Sequence, residues 1–462
     1  MRCHALRCCR AFASRLAGKG GIVLACLGAI ATVLAVFPTC GGRPSRPAAA
    51  RHTAPRSLTE RHDVPEVAPR PPFKKLWESR ETDSREWLSE IDGLPIIVTD
   101  DAIYRPLAES YVATDLRTGK RLWQKTTAHG YPSDLAYDGE TLYLVMGNNL
   151  LAVVPRTGKQ RWSLPIKKLG AVPYLAPAEP FPGFADPPYR RFATPPEYST
   201  LPAAESVNPV AARPGLLVYE CGHFCIAALN TRTRKTSWAV RLPVESFAID
   251  AHFPVRVRPI MVGDRWLIVT DEGGIYGIEM QTGQLLWQYP DGRHYDVAGI
   301  AADSSRVYYA AVMGEMGALD VGTGLPLWKR ETKEPVFNHA PPLPLGNISV
   351  FVAVDGVLHA VNAADGTRRW DFTPPNDGGL GLLAPTAYGG QIFLHTGATL
   401  MALDTSGRKI WAWNTPEEDT LRNPMRVTVF KDGVLLHEWG TFIYYAMTKS
   451  APGSSGRTGV NQ

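Results

Sequence analysis

The stretch "LDVGTGLPLW", Leu319 to Trp328, decides the fold because the chain keeps repeating it. Its echoes are "TDLRTGKRLW" ending at Trp123, "VVPRTGKQRW" at Trp162, "LNTRTRKTSW" at Trp238, "IEMQTGQLLW" at Trp287, "VNAADGTRRW" at Trp370 and "ALDTSGRKIW" at Trp411. By residue number these Trp lie 39, 76, 49, 41, 42 and 41 apart, so a period near 41 recurs with one large interruption. Upstream of each Trp, two short β-branched or aromatic runs flank a Gly-containing turn, the signature of a hairpin, as in "RVYYAAVMGEMGALDVGTG" over 306–324. A Thr-Gly, Asp-Gly or Ser-Gly turn follows, four residues before the Trp. Adding an inner strand gives about four strands per repeat, and helical periodicity is absent from the body of the chain.

Four antiparallel strands recurring every 41 or so residues predict an all-β fold, a β-propeller of four-stranded antiparallel blades. Radial packing lets each small sheet bury both faces on its neighbours. The expected docking residues are Trp77, Trp123, Trp162, Trp238, Trp287, Trp328, Trp370 and Trp411, each an indole wedge between blades. After Trp411, "RVTVFKDGVLLHEWGTFIYYAM" (426–447) supplies three more strands without a closing phrase, while "FKKLWES" around Trp77 is an orphan strand at the other end. Pairing the two makes eight blades and closes the ring. Seven blades with a stray edge strand is the alternative.

The recurring "ALD…TG…W" pattern resembles the tryptophan docking motif of the pyrroloquinoline quinone (PQQ)-like β-propellers, which include quinoprotein dehydrogenases and BamB-like outer-membrane assembly lipoproteins. The resemblance covers roughly 73–448. Arg234 replaces the turn Gly in the third copy, Val154 replaces the acidic residue in the second, and the seventh is one residue shorter. One fold hosts several activities, so the motif speaks to architecture before function.

Outside the repeats, the 462-residue chain carries a net charge of +5 that is unevenly spread. Residues 1–59 hold nine Lys/Arg and no acid, leaving 40 basic against 44 acidic residues in 60–462. A body of net charge −4 argues against a nucleic-acid partner. Residues 1–20 read as a cationic cytoplasmic lead. The run "GIVLACLGAIATVLAVFP", 21–38, reads as a transmembrane signal anchor, a cleaved signal peptide or a lipoprotein leader with Cys40 or Cys26 as candidate, which places the propeller on the periplasmic side of a bacterial envelope. Residues 39–72 are a Pro/Ala/Arg-rich linker and 449–462 a flexible tail. The long interruption holds a Pro- and aromatic-rich insertion at about 165–209, either a loosely ordered loop or an element that contacts a partner.

Only Cys221 and Cys225 lie in the body, in "ECGHFC". They suit one local disulfide in an oxidising compartment, or two free thiols, and their spacing matches neither haem attachment nor a zinc site. No HExxH, GxSxG or phosphate-binding loop is present. The remaining candidate chemistry is a polar ring at one channel mouth, formed by His129, His252, His294, His339, Asp250 and Asp296, with Asp134, Asn338 and Asp377 nearby. Solvated loop histidines are the plain alternative. A quinoprotein dehydrogenase would add PQQ with Ca²⁺ and, by family resemblance, an adjacent Cys pair that this body lacks. The expectation is therefore a non-catalytic, cofactor-free envelope propeller binding other envelope proteins. The resemblance implies β-barrel assembly components among them, with a PQQ- or metal-dependent enzyme or sensor as alternative.

Overall fold

The computed structural model describes residues 67–80, 96–127, 132–169, 207–221, 225–242, 257–271, 274–290, 297–311, 314–331, 340–353, 356–375, 385–396, 398–419, 426–438 and 441–448. They form eight four-stranded antiparallel sheets, each ordered as in the sequence except the last. Blade 1 comprises Ile97–Val98, Ala102–Leu107, Ser110–Asp115 and Arg121–Thr126. Blades 2 to 7 occupy 136–165, 208–241, 260–290, 297–331, 343–372 and 386–414. Blade 8 takes Arg426–Phe430, Gly433–Glu438 and Thr441–Met447, and its fourth strand is Phe73–Arg80.

This last pairing closes the ring, with Phe73 opposite Met447 and Trp77 opposite Tyr444. Eight hydrophobic clusters fill the eight junctions between consecutive blades, one cluster each. The cluster uniting Trp77, Phe430, Phe442 and Tyr444 with Ile103 and Leu116 joins blade 8 to blade 1. The seven-bladed alternative is thereby excluded. First strands of consecutive blades approach one another, which places them around the central axis.

The repeated Trp works through two neighbours. Across its own sheet it faces a small residue on the third strand: Ala113, Ala152, Ala228, Gly277, Ala318, Ala360 and Ala402 face the Trp of blades 1 to 7, with a bulge following each time. The small partner leaves room for the ring; a Cβ on Gly277 would lie 2.1 Å from Trp287. Toward the next blade the ring packs on the turn before that blade's fourth strand. Gly119 has φ +66, and a Cβ there would lie 2.6 Å from the Trp77 ring, so both backbone and space require glycine.

The indole N–H then donates to a carbonyl of the same turn: Trp77 to Leu116 (2.7 Å), Trp123 to Pro155 (2.6 Å), Trp238 to Met280 (2.8 Å), Trp287 to Val321 (2.9 Å), Trp328 to Ala363 (3.1 Å) and Trp370 to Thr405 (2.9 Å). Two junctions differ. Trp162 meets the Arg234 guanidinium, whose carbon is 5.9 Å from the ring centroid. Trp411 has no acceptor for its buried Nε1 among the described residues, because blade 8 has no docking turn; its ring packs on Phe73 and Phe393 at 5.8 and 5.7 Å.

Chain direction puts every docking turn on one face, called here the docking-turn face. The turns between second and third strands, and the links from each fourth strand to the next first strand, fall on the opposite, linker face. Residues 1–66, most of the insertion and 449–462 lie outside the described residues, as do the segmental boundaries expected there. Among the described residues no helix is long and apolar enough to cross a membrane.

Candidate functional site

Burying a charge is costly unless it is paired, so the placement of buried charge marks where the fold spends specificity. Among the described residues Arg105, Asp134, Glu315, His395, Asp419 and His437 are buried on the linker-face half of their blades, and only Asp138 on the other. Asp138 caps a turn, accepting the N–H of Thr141 at 2.7 Å and the Tyr143 hydroxyl at 2.7 Å.

The most connected group on the linker face joins four blades. Asn208, at the start of blade 3, accepts the N–H of Asp134 at 2.8 Å and donates to Glu220 at 2.9 Å. Arg258, leading into blade 4, reaches past blade 3 to donate to the Leu135 carbonyl at 3.0 Å, with its Nη2 3.7 Å from the Asp134 carboxylate. Tyr111 of blade 1 donates to the Ser133 carbonyl at 3.0 Å, and burial pushes its hydroxyl up to about 12. Desolvation pulls the Arg258 guanidinium down, opposed by Asp134 and Glu220. Its side chain nevertheless keeps 32 % of its surface accessible.

Three further groups lie on this face. Glu315 accepts the Tyr309 hydroxyl at 2.8 Å and pairs with Lys329 at 2.5 Å. Asp419 binds Lys75 of the closing strand and accepts the Tyr445 hydroxyl at 2.7 Å. His395 is 2 % exposed, neither ring nitrogen has a hydrogen-bond partner among the described residues, and desolvation lowers it to about 4. Cys221 and Cys225 are joined by a disulfide across the second-to-third-strand turn of blade 3, with Cα atoms 5.1 Å apart, directly beside Glu220.

His129, His252, His294, His339, Asp250 and Asp296 all lie outside the described residues, as do Asn338 and Asp377. Of the residues singled out near that ring, Asp134 is described, and its partners Asn208 and Arg258 stand in no motif. PQQ with Ca²⁺ would need free carboxylate and amide oxygens. Asp134, Glu315 and Asp419 are instead engaged by cations or hydroxyls and Glu220 by an amide, and among the described residues no three His, Cys, Asp or Glu converge as a metal set. The described donors do not fit that group.

An eight-bladed ring with indoles docked on glycine turns defines a PQQ-like repeat propeller. The family model described as "Outer membrane protein assembly factor BamB" matches residues 74–172 and 296–429, and the chain belongs to that family. The unmatched stretch, 173–295, contains most of the insertion together with blades 3 and 4, and the docking turn of blade 3 carries Arg234.

Among curated relatives, BamB of Francisella salina is 27 % identical over 189 residues, covering 40 % of this chain and 36 % of the relative. BamB of Legionella pneumophila (strain Paris) is 30 % identical over 147 residues, covering 29 % and 36 %. The matches thus span about a third of those relatives' length. In fold, the crystal structure of BamB from Moraxella catarrhalis superposes with a TM-score of 0.54 at 16 % identity, over 81 % of this chain and 99 % of that one. A quinohemoprotein alcohol dehydrogenase from Pseudomonas putida HK5 reaches 0.50 at 12 %, over 82 % and 78 %. Both likenesses concern the fold.

Proposed function

We propose that the protein is a non-catalytic scaffold for outer-membrane protein assembly, holding β-barrel assembly components on its linker face. Membership of the family named for that role carries the proposal. The linker face supports it: its buried carboxylates Asp134, Glu315 and Asp419 are each engaged by a cation, and no nucleophile stands beside a general base there among the described residues. The reading is cofactor-free and periplasmic, with 21–38 as the membrane segment and 39–72 as a spacer.

The test is in-cell photo-crosslinking from Lys167, exposed on the linker face, with Arg408 on the docking-turn face as comparison. Capture of barrel-assembly components from Lys167 supports the scaffold. Consistent capture of other proteins, or a stoichiometric quinone absorbance or metal in the purified chain, overturns it.

A further inference from the structure

We infer that the docking-turn face of blades 1 to 3 is a binding surface for anionic membrane lipid. The docking turns of these three consecutive blades place Lys120, Lys159 and Lys235 in equivalent exposed positions, three residues before the docking Trp, with Arg232 exposed in the same turn as Lys235; none has an ion-pair partner among the described residues. Neighbouring cations are spoken for: Arg117 pairs with Asp432, and Arg156 bridges Asp101 and Asp115 at 3.1 and 2.7 Å. Elsewhere on the ring the same position differs. The turns of blades 4, 5 and 6 carry Gln284, Leu325 and Thr367 there, and in blade 7 Arg408 is tied to Asp404.

The chemistry favours a lipid surface over an acidic protein. Between the free cations lie Thr118, Thr157 and Thr233, with no exposed large apolar side chain to anchor a protein hot spot. Flexible cationic stems without a fixed geometry suit a fluid layer of phosphates, where each basic residue near the surface strengthens binding about fivefold. The closing strand begins on this face, where Pro72 accepts the Thr448 N–H at 3.0 Å. This inference is independent of the scaffold proposal, which concerns the other face.

The full-length chain is added to vesicles of phosphatidylcholine alone or with about one-third phosphatidylglycerol, and acetylation rates of individual lysines are read by mass spectrometry. On anionic vesicles Lys120, Lys159 and Lys235 are expected to react about fivefold more slowly, with about 0.5 M salt restoring the rate and Lys167 and Lys168 on the linker face unchanged. A K120E/K159E/R232E variant with native circular dichroism should lose the protection at Lys235. Equal rates on both vesicles overturn the inference, as does protection that appears only when an acidic protein is added to neutral vesicles. If the apolar segment fails to insert, the chain stays unbound by neutral vesicles yet still sediments with anionic ones, so the two failures are distinguishable.

Discussion

Arg234 lies over Trp162 with φ +59, occupying the position that six other junctions give to glycine. At this one junction a guanidinium replaces the bare turn against which the indole elsewhere closes. A left-handed non-glycine residue costs about 1–2 kcal/mol, and an exposed cation–π contact returns about 0.5–1 kcal/mol. Arg234→Gly is therefore expected to leave stability unchanged or raise it by up to about 1.5 kcal/mol, whereas Arg234→Ala keeps the backbone cost and loses the contact, falling by about 0.5–1 kcal/mol. Urea midpoints of the two variants check the ordering.

Gly283 and Gly215 separate backbone strain from steric clash. Both have positive φ, +75 and +89, but a Cβ on Gly283 would lie 2.5 Å from Trp238 while one on Gly215 meets nothing within 4 Å. Gly215→Ala should cost about 1–2 kcal/mol and Gly283→Ala about 1–3 kcal/mol more, since the indole must leave its rotamer or the blade must shift. Equal losses by chemical denaturation would mean that the rings do not require the close approach.

His395 sets an acid limit. Its folded-state value, about 4, lies below the ordinary imidazole value, so the unfolded chain takes up a proton that the folded chain refuses. The neutral form's contribution is present above the unfolded value and is lost as pH falls through roughly 6.5 toward 4, on the order of 3 kcal/mol in all. His395→Leu removes two orphaned nitrogens and should flatten the stability profile over that window. Parallel profiles for the two proteins would contradict the assignment.

Lys75 and Asp419 latch the closing strand. Asp419 is 1 % exposed, and removing its cation by Lys75→Met leaves a buried carboxylate held, among the described residues, by Tyr445 alone, at a cost of about 2–4 kcal/mol. The Asp419 hydrogen bond raises the Lys75 ammonium, so the latch is complete below the ordinary lysine value and weakens only as pH climbs through the raised folded one. Hydrogen exchange over 73–80 should quicken in the variant at neutral pH, and in the wild type only under strong alkali.

The period was legible because one turn and one indole must recur wherever a blade meets the next, and Trp77 exposed the closing strand because an orphan docking residue needs a sheet. The small residue opposite each Trp stood in plain view as the Ala of "ALD", yet its purpose depends on a cross-strand register that no local pattern states. The linker-face network was hidden for a different reason. Arg258 and Leu135 are 123 positions apart, and Asp134, Asn208 and Glu220 sit in segments with no shared spacing, so only the closed ring assembles them. The expected histidine ring rests on residues outside the described set and gains no geometry from the fold.

The latch joins residues 344 positions apart, and the sheet it serves takes one strand from 73–80 and three from 426–447. During synthesis the earliest strand must therefore wait, edge unpaired, until nearly the whole polypeptide has emerged. A prematurely terminated product would keep both the waiting edge and the apolar flank of blade 1 open to water, a form that chaperones and proteases can tell apart from the finished protein.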